Sequence, residues 1–428
     1  MQKDTRRPER PQRQGRTGQE INSRVVKRKR ELAKRRLRRR RAALLACLLL
    51  IVAASAAWFL YAKAAGDSKR ANANVKEMKN VVASEPSTKT PPPEQNNAAV
   101  TLTNESEVEQ SLVIIGLGDL LFDRQVAKAI KERGAEDLFA DVRGALTGGD
   151  IVIGNLENPL SLRGKPVDGK EYAFRGLPEA AGGMRNAGIN MVSLANNHIM
   201  DYGPDALSDT LDVLGQAGIA YAGAGINSAG ALKHATVEVK GKKVAFFAYS
   251  AVVPEGSWAT SKRPGMATTR EKWSTRQSAI EAASKEHDYV IVSFHWGLEY
   301  EDHPQEYQRD FARRVIDAGA DMVIGHHPHV IQGIELYKGK IIAYSLGDFV
   351  FDHYSRKTGE TFILNAEFTG GEVSRVMITP VYADFSGKPA IVRGDEAQAI
   401  LGRLKKMSEP FKTEMNITGD TAEIILAQ

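Results

Sequence analysis

The sequence predicts a layered α/β domain, on three observations. Short apolar, β-branched runs recur from Ser111 onward: "LVIIGLGD", "IVIGNLE", "MVSLANNH", "YVIVSFHWG", "MVIGHHPH" and "IIAYSLGD". Helical patterns separate several of them, as in "PDALSDTLDVLGQAG" and in "PQEYQRDFARRVIDAG", where Tyr307, Phe311 and Val315 recur at helical spacing. Each run closes on a polar or glycine-containing motif. Strands apolar on both faces are buried on both faces, and in such domains ligands gather at the carboxyl ends of the strands.

The elements before this domain are read from charge and hydropathy. Residues 1–41 hold 18 Lys plus Arg against 4 Asp plus Glu, a balance of +14 in a chain of net charge +6, so the remainder carries −8. The basic character belongs to the tail. From Ala42 to Ala62, "AALLACLLLIVAASAAWFLYA" carries no charge. At ~1.5 Å per residue it reaches ~31 Å, enough for a hydrocarbon core of ~30 Å. It exceeds the roughly 7–15 apolar residues of a cleaved signal peptide, which favours an uncleaved single-pass anchor over cleavage at "AASAA". The basic flank on its amino side predicts a cytoplasmic amino terminus and an extracellular main domain. Beside such a span, the arginine run reads as a topological signal, and no nucleic-acid partner is expected. The one cysteine, Cys47, falls in the span, so an exported domain has no disulfide and depends on its core. Residues 63–110, poor in aromatics and broken by Pro91–Pro93, read as a disordered linker. The domain is expected over 111–390, followed by a C-terminal tail, 391–428, that the sequence assigns neither to the domain nor to a partner.

If the six runs are neighbouring strands, Asp119, Glu157, Asn196, Asn197, His198, His295, His326, His327, His329 and Asp348 fall together on one edge. Singly, each has a plainer reading: Asp119 and Asp348 as caps, Asn196 and Asn197 as turn residues, His295 as a core histidine, and His326–His329 as a solvated loop. Their shared position favours a site. Carboxylate, amide and imidazole without thiolate suit one or two divalent ions such as manganese, iron, zinc or magnesium. Arg124 is a candidate to neutralise a substrate oxyanion. Glu299, four residues after His295, is a candidate to orient an imidazole.

"GDLLFDR", "GNLENPLS", "SLANNHIMDYG", "FHWGLEY", "GADMVIGHHPHVIQ" and "YSLGDFVFD", in this order over residues 112–370, resemble the CapA capsule-synthesis family, also called PgsA in poly-γ-glutamate producers. The resemblance implies a calcineurin-like metallophosphoesterase fold, a four-layer sandwich of two β-sheets flanked by helices. It implies work at the membrane with other subunits of a poly-γ-glutamate synthase complex. By the same resemblance Asp119 is the first-strand aspartate, Glu157 takes the bridging position, and Asn197, His295, His327 and His329 are further metal ligands. His198 is then the acid that protonates a leaving group. One departure stands out: where the superfamily begins Asp-x-His, this chain has Asp119-Leu120-Leu121, leaving one ion short of a histidine, with His326 and Asp348 as candidates to complete it. Three classes of function stay open: an assembly or export component, a surface-anchored phosphatase or phosphodiesterase, and a noncatalytic polymer-binding module.

Overall fold

The computed structural model describes residues 110–353 and 355–426. The basic tail, the apolar span and the linker up to residue 109 lie outside the described residues. Among the described residues, no helix is long and apolar enough to cross a membrane.

Four parallel strands open the first sheet: β1 (Leu112–Leu120), β2 (Ile151–Leu156), β3 (Met191–Ser193) and β4 (Ala220–Ala222). The short β5 (Ala224–Gly225) follows, then β6 (Ala235–Val239) and β7 (Lys242–Ser250) of a second sheet, and β8 (Gly265–Met266), which pairs back on β5. The second sheet continues through β9 (Tyr289–His295), β10 (Met322–His326), β11 (Ile334–Tyr337) and β12 (Lys340–Ala343), in the spatial order β11-β12-β10-β9-β7-β6. The chain then returns to the first sheet with β13 (Asp348–Val350), β14 (Glu360–Thr369), β15 (Glu372–Ala383), β16 (Pro389–Ile391), β17 (Met415–Thr418) and β18 (Thr421–Ile424).

The two sheets share a core. Ile114, Ile153 and Met191 of the first meet Phe246, Ile291, Met322 and Ile324 of the second. Because side chains alternate along a strand, the residues between them face outward. Ile115, Val152 and Val192 pack against Val126, Met184, Leu207 and Leu214 of helices on one side. Val290, Val292 and Val323 pack against Ile280, Ala312 and Val315 on the other. The layers therefore run helix, sheet, sheet, helix.

The helices start where local chemistry lets them. Gly203–Gln216 has proline in its first turn beside Asp205 and buries Ala206, Leu207, Thr210 and Leu214. Glu306–Asp317 opens on a reciprocal capping box between Gln305 and Gln308. Of its expected stripe, Val315 is buried and Phe311 partly so, whereas Tyr307 is exposed and spends its hydroxyl accepting the Gly297 N–H at 2.7 Å.

Two expectations are corrected. The six runs are not neighbours in one sheet: β1, β2 and β3 belong to the first and β9, β10 and β12 to the second, so the polar ends converge from two sheets. "IIAYSLGD" is itself split, because the strand stops at Ala343 and Asp348 begins β13 in the other sheet. The segment set apart as a tail is part of the fold as far as residue 426. Helix Gly394–Ser408 puts Ala397, Ile400, Leu401 and Leu404 into the inter-sheet core, and β18 pairs with β15.

Candidate metal centre

The carboxyl ends of the parallel strands bring the candidate residues together. In register, Asp119 of β1 lies opposite Asn155 of β2 on one side and Asp348 of β13 on the other. His295 ends β9 directly opposite His326, which ends β10. The next turn holds His327 and His329 at φ +95° and +56°, a left-handed conformation costing such residues on the order of 1–3 kcal/mol each. That turn is tied to the first sheet, since the His327 N–H donates to Asp119 Oδ2 at 3.1 Å.

Asp119, Glu157, His295, His326, His327, His329 and Asp348 are all buried. Asn155 Nδ2 donates to Asp119 Oδ1 at 2.9 Å and to Glu157 Oε2 at 3.4 Å, and sits 3.3 Å from His295 Nδ1. His295 Nε2 is 2.7 Å from the amide oxygen of Asn197. His329 Nδ1 is 2.8 Å from Asp348 Oδ1, and its Nε2 is 3.8 Å from Glu157 Oε1. His326 Nδ1 approaches Asp119 Oδ1 to 3.2 Å without hydrogen-bond geometry.

The charge balance is poor without a cation. Burial, then the Asp119 charge, pushes Glu157 well above the usual carboxylate range, and burial raises Asp348. Asp119 also feels burial, but the neighbouring His326 and His329 outweigh it and hold its carboxyl low. Burial, reinforced by the other histidines, drives His295 well down and His327 to about 3. Burial opposes the charge of His329 too, but Asp348 and Glu157 overcome it, so that His329 is held well above the usual imidazole range. Glu157 Oε1, His327 Nδ1 and both ring nitrogens of His326 are buried without a hydrogen-bond partner. Unpaired buried polar atoms of this kind are costly, and the carboxylate oxygen and the unprotonated ring nitrogens among them suit a cation.

Three sets of acidic and imidazole groups place one ligand atom each within 4.8 Å of the others: Glu157 with His327 and His329, Asp119 with Glu157 and His295, and Asp119 with His329 and Asp348. Glu157, Asp119 and His329 each belong to two of them, so the three sets form one connected centre. The donors are oxygen and nitrogen only, so the residues fit hard or borderline divalent ions.

A cavity of about 770 Å³ opens beside the centre, lined by Asn197, His198, His329 and Asp348 on its floor and by Arg124, Phe174, Tyr300 and Phe351 among its walls. His198 belongs to none of the three sets. Its Nδ1 is 2.7 Å from Asp201 Oδ2, its ring lies 4.6 Å from that of Phe174, and burial lowers its pKa against the opposing pull of Asp201.

The model of the family described as "Bacterial capsule synthesis protein PGA_cap" matches residues 113–353. The chain belongs to this family. It is 33% identical over 297 residues to the "PGA biosynthesis protein CapA" of Bacillus subtilis, covering 68% of this chain and 77% of the relative. To the "Capsule biosynthesis protein CapA" of Bacillus anthracis it is 31% identical over 292 residues, covering 67% and 71%. Among solved structures, a phosphatase of Mycoplasma pneumoniae is similar at a TM-score of 0.43 and 12% identity, over 64% of this chain and 95% of that one.

In this PGA_cap chain both wall residues read from sequence line the cavity. Arg124 faces the cavity, but its Nη2 is 2.6 Å from Asp352 Oδ1 and its guanidinium lies over the rings of Phe174 and Phe351. Glu299 is exposed on the wall, away from any hydrogen bond to an imidazole. Sequence reasoning missed Asn155, whose signal was a polar residue inside an apolar run. It also missed Asp201, three residues after His198 and so able to reach back to it. Lys170 carried no signal: it sits in a loop, bonds the Asn197 carbonyl at 2.7 Å and pairs with Asp201.

Proposed function

We propose that this protein is a membrane-anchored, surface-exposed component of poly-γ-glutamate capsule biosynthesis or export, whose large domain carries a divalent-metal centre of metallophosphoesterase type. The observation that carries the reading is the buried, unneutralised ligand set around Glu157, in a member of a capsule-synthesis family. Asp119, Glu157, Asn197, His295, His327 and His329 would hold one or two ions of manganese, iron, zinc or magnesium. Bound there, such an ion would lower the pKa of a water molecule toward about 7 and polarise a phosphoryl oxygen.

The chain's own residues do the rest. Asp201 fixes the orientation of His198 through Nδ1, so that His198 serves as the proton donor to a leaving group. Arg124, held between Phe174 and Phe351, meets a substrate oxyanion by sharing its guanidinium with Asp352. The partners are further membrane subunits of a poly-γ-glutamate synthase complex and the polymer itself. A surface phosphatase or phosphodiesterase with another substrate is the second reading, favoured by the size of the cavity beside the centre.

Elemental analysis and polymer output, read together, test the centre. His327→Ala is expected to lose metal. His198→Ala is expected to keep metal and fold while polymer output and any aryl phosphodiester turnover fall by ~10²–10⁴. Equal metal in His327→Ala removes that ligand, and full polymer output from metal-replete His198→Ala removes the acid. For the topology, protease added to intact protoplasts should digest the large domain, and its protection would reverse the assignment.

A further inference from the structure

We propose that Asp348 is itself a metal ligand, completing with Asp119 and His329 one ion position of the centre. The inference rests on the metal-centre reading above and identifies which side chain fills the place where Leu121 offers no donor.

The argument follows the two oxygens of Asp119. Oδ1 accepts from Asn155 Nδ2 at 2.9 Å and is flanked by His326 Nδ1 at 3.2 Å, so its surroundings are already occupied by protein. Oδ2 accepts only the His327 N–H, at 3.1 Å, and faces His329 Nδ1 at 3.7 Å. The free side of Asp119 is thus the side where His329 and Asp348 stand. Two ligands ~2.1 Å from one ion at right angles lie ~3 Å apart. The 2.8 Å between His329 Nδ1 and Asp348 Oδ1 and the 3.7 Å from His329 Nδ1 to Asp119 Oδ2 bracket that value.

Backbone pairing explains why Asp348 is there. The chain leaves the second sheet after Ala343, and Asp348 enters the first directly opposite Asp119 in a parallel bridge. Asp348 is 2% exposed and Asp119 fully buried, so two carboxylates are held side by side out of water. His329 is the imidazole in contact with both. Independently, Glu157 Oε1 faces the same interior without a hydrogen-bond partner. His326 is the rival candidate, but it joins none of the sets whose donor atoms converge, and its Nδ1 lies 3.2 Å from the already occupied Oδ1 of Asp119.

The alternative role for Asp348 is to accept a hydrogen bond from His329 without touching the ion, a contact whose loss typically lowers affinity by about 10–100-fold but leaves the position fillable at high metal. The experiment compares the full chain with Asp348→Asn and Asp348→Ala, each equilibrated with excess manganese, by metal-to-protein stoichiometry and by anomalous diffraction from wild-type crystals. Expected are one fewer ion per chain in both variants and an Asp348 oxygen within ~2.0–2.3 Å of the ion in wild type. A full complement in both variants, or an Asp348 oxygen beyond bonding distance in wild type, overturns the inference while leaving the centre intact. A wild-type chain that takes up no ion overturns both this inference and the centre on which it rests.

Discussion

Asn155 is the side chain on which the geometry of the centre leans most heavily. One amide nitrogen reaches Asp119, Glu157 and His295, and its oxygen accepts from Asn196 Nδ2 at 3.1 Å. Carboxylates crowded this closely repel unless donors hold them apart, and Asn155 supplies donors without adding charge. Asn155→Ala should therefore lower metal affinity by about 10–100-fold with the ligands still present. Metal titration of the variant by calorimetry checks it, and an unchanged affinity would show that Asn155 merely fills space. At this scale the sequence was informative where chemistry is concentrated at strand ends: Asp119, Glu157, His295, His327 and His329 stood out because charge and imidazole interrupt apolar runs. Asn155 was hidden by its neutrality, and Lys170 by a loop whose path depends only on tertiary contacts.

At the scale of elements, the centre depends on backbones that come unusually close. A Cβ built on Gly118 would lie 2.0 Å from the Gly347 carbonyl oxygen, where β1 meets the turn into β13, and the Asp119 N–H donates to that same oxygen at 2.9 Å. The obstacle is backbone, which cannot rotate away as a side chain would. Gly118→Ala should cost about 1–3 kcal/mol or more and reduce metal uptake as well, because the strands carrying Asp119 and Asp348 must part. Gly402 is the comparison: within Gly394–Ser408 it meets nothing within 4 Å, so Gly402→Ala should stabilise by about 0.5–1 kcal/mol. Denaturant melts of both variants check the sign, and destabilisation by Gly402→Ala or indifference to Gly118→Ala would contradict it. Element existence was largely legible, since runs such as "LVIIGLGD" and "YVIVSFHWG" are apolar on both faces as doubly buried strands require. Their distribution between two sheets was not, because a strand buried in either sheet carries the same pattern. The crossing from Ala343 to Asp348 was masked for the same reason, the apolar run continuing through it.

At the scale of the whole molecule, the part of the chain matched by the family model is not the part that closes the core. The match ends at residue 353, yet β14 lies beside β1 with five residue pairs in register, and β15 and β18 extend the sheet beyond it. Phe362, Leu364, Ile378, Leu401 and Leu404, all after the match, stand in the same inter-sheet core as Ile114 and Ile324. Removing them leaves Leu112–Gly116 of β1 unpaired along one edge and exposes the apolar faces of both sheets, and an unpaired hydrophobic edge invites aggregation. A single buried leucine cut to alanine costs about 2–5 kcal/mol, against a total stability of about 5–15 kcal/mol, so the loss of several together exceeds what the domain has. A fragment of residues 110–426 should therefore melt in one cooperative transition, while 110–353 should aggregate or unfold without one, despite retaining every proposed ligand. Calorimetry of the two fragments at matched concentration decides the matter. A cooperative transition in 110–353 at the temperature of the longer fragment would mean that the carboxyl-terminal segment decorates the core and does not complete it.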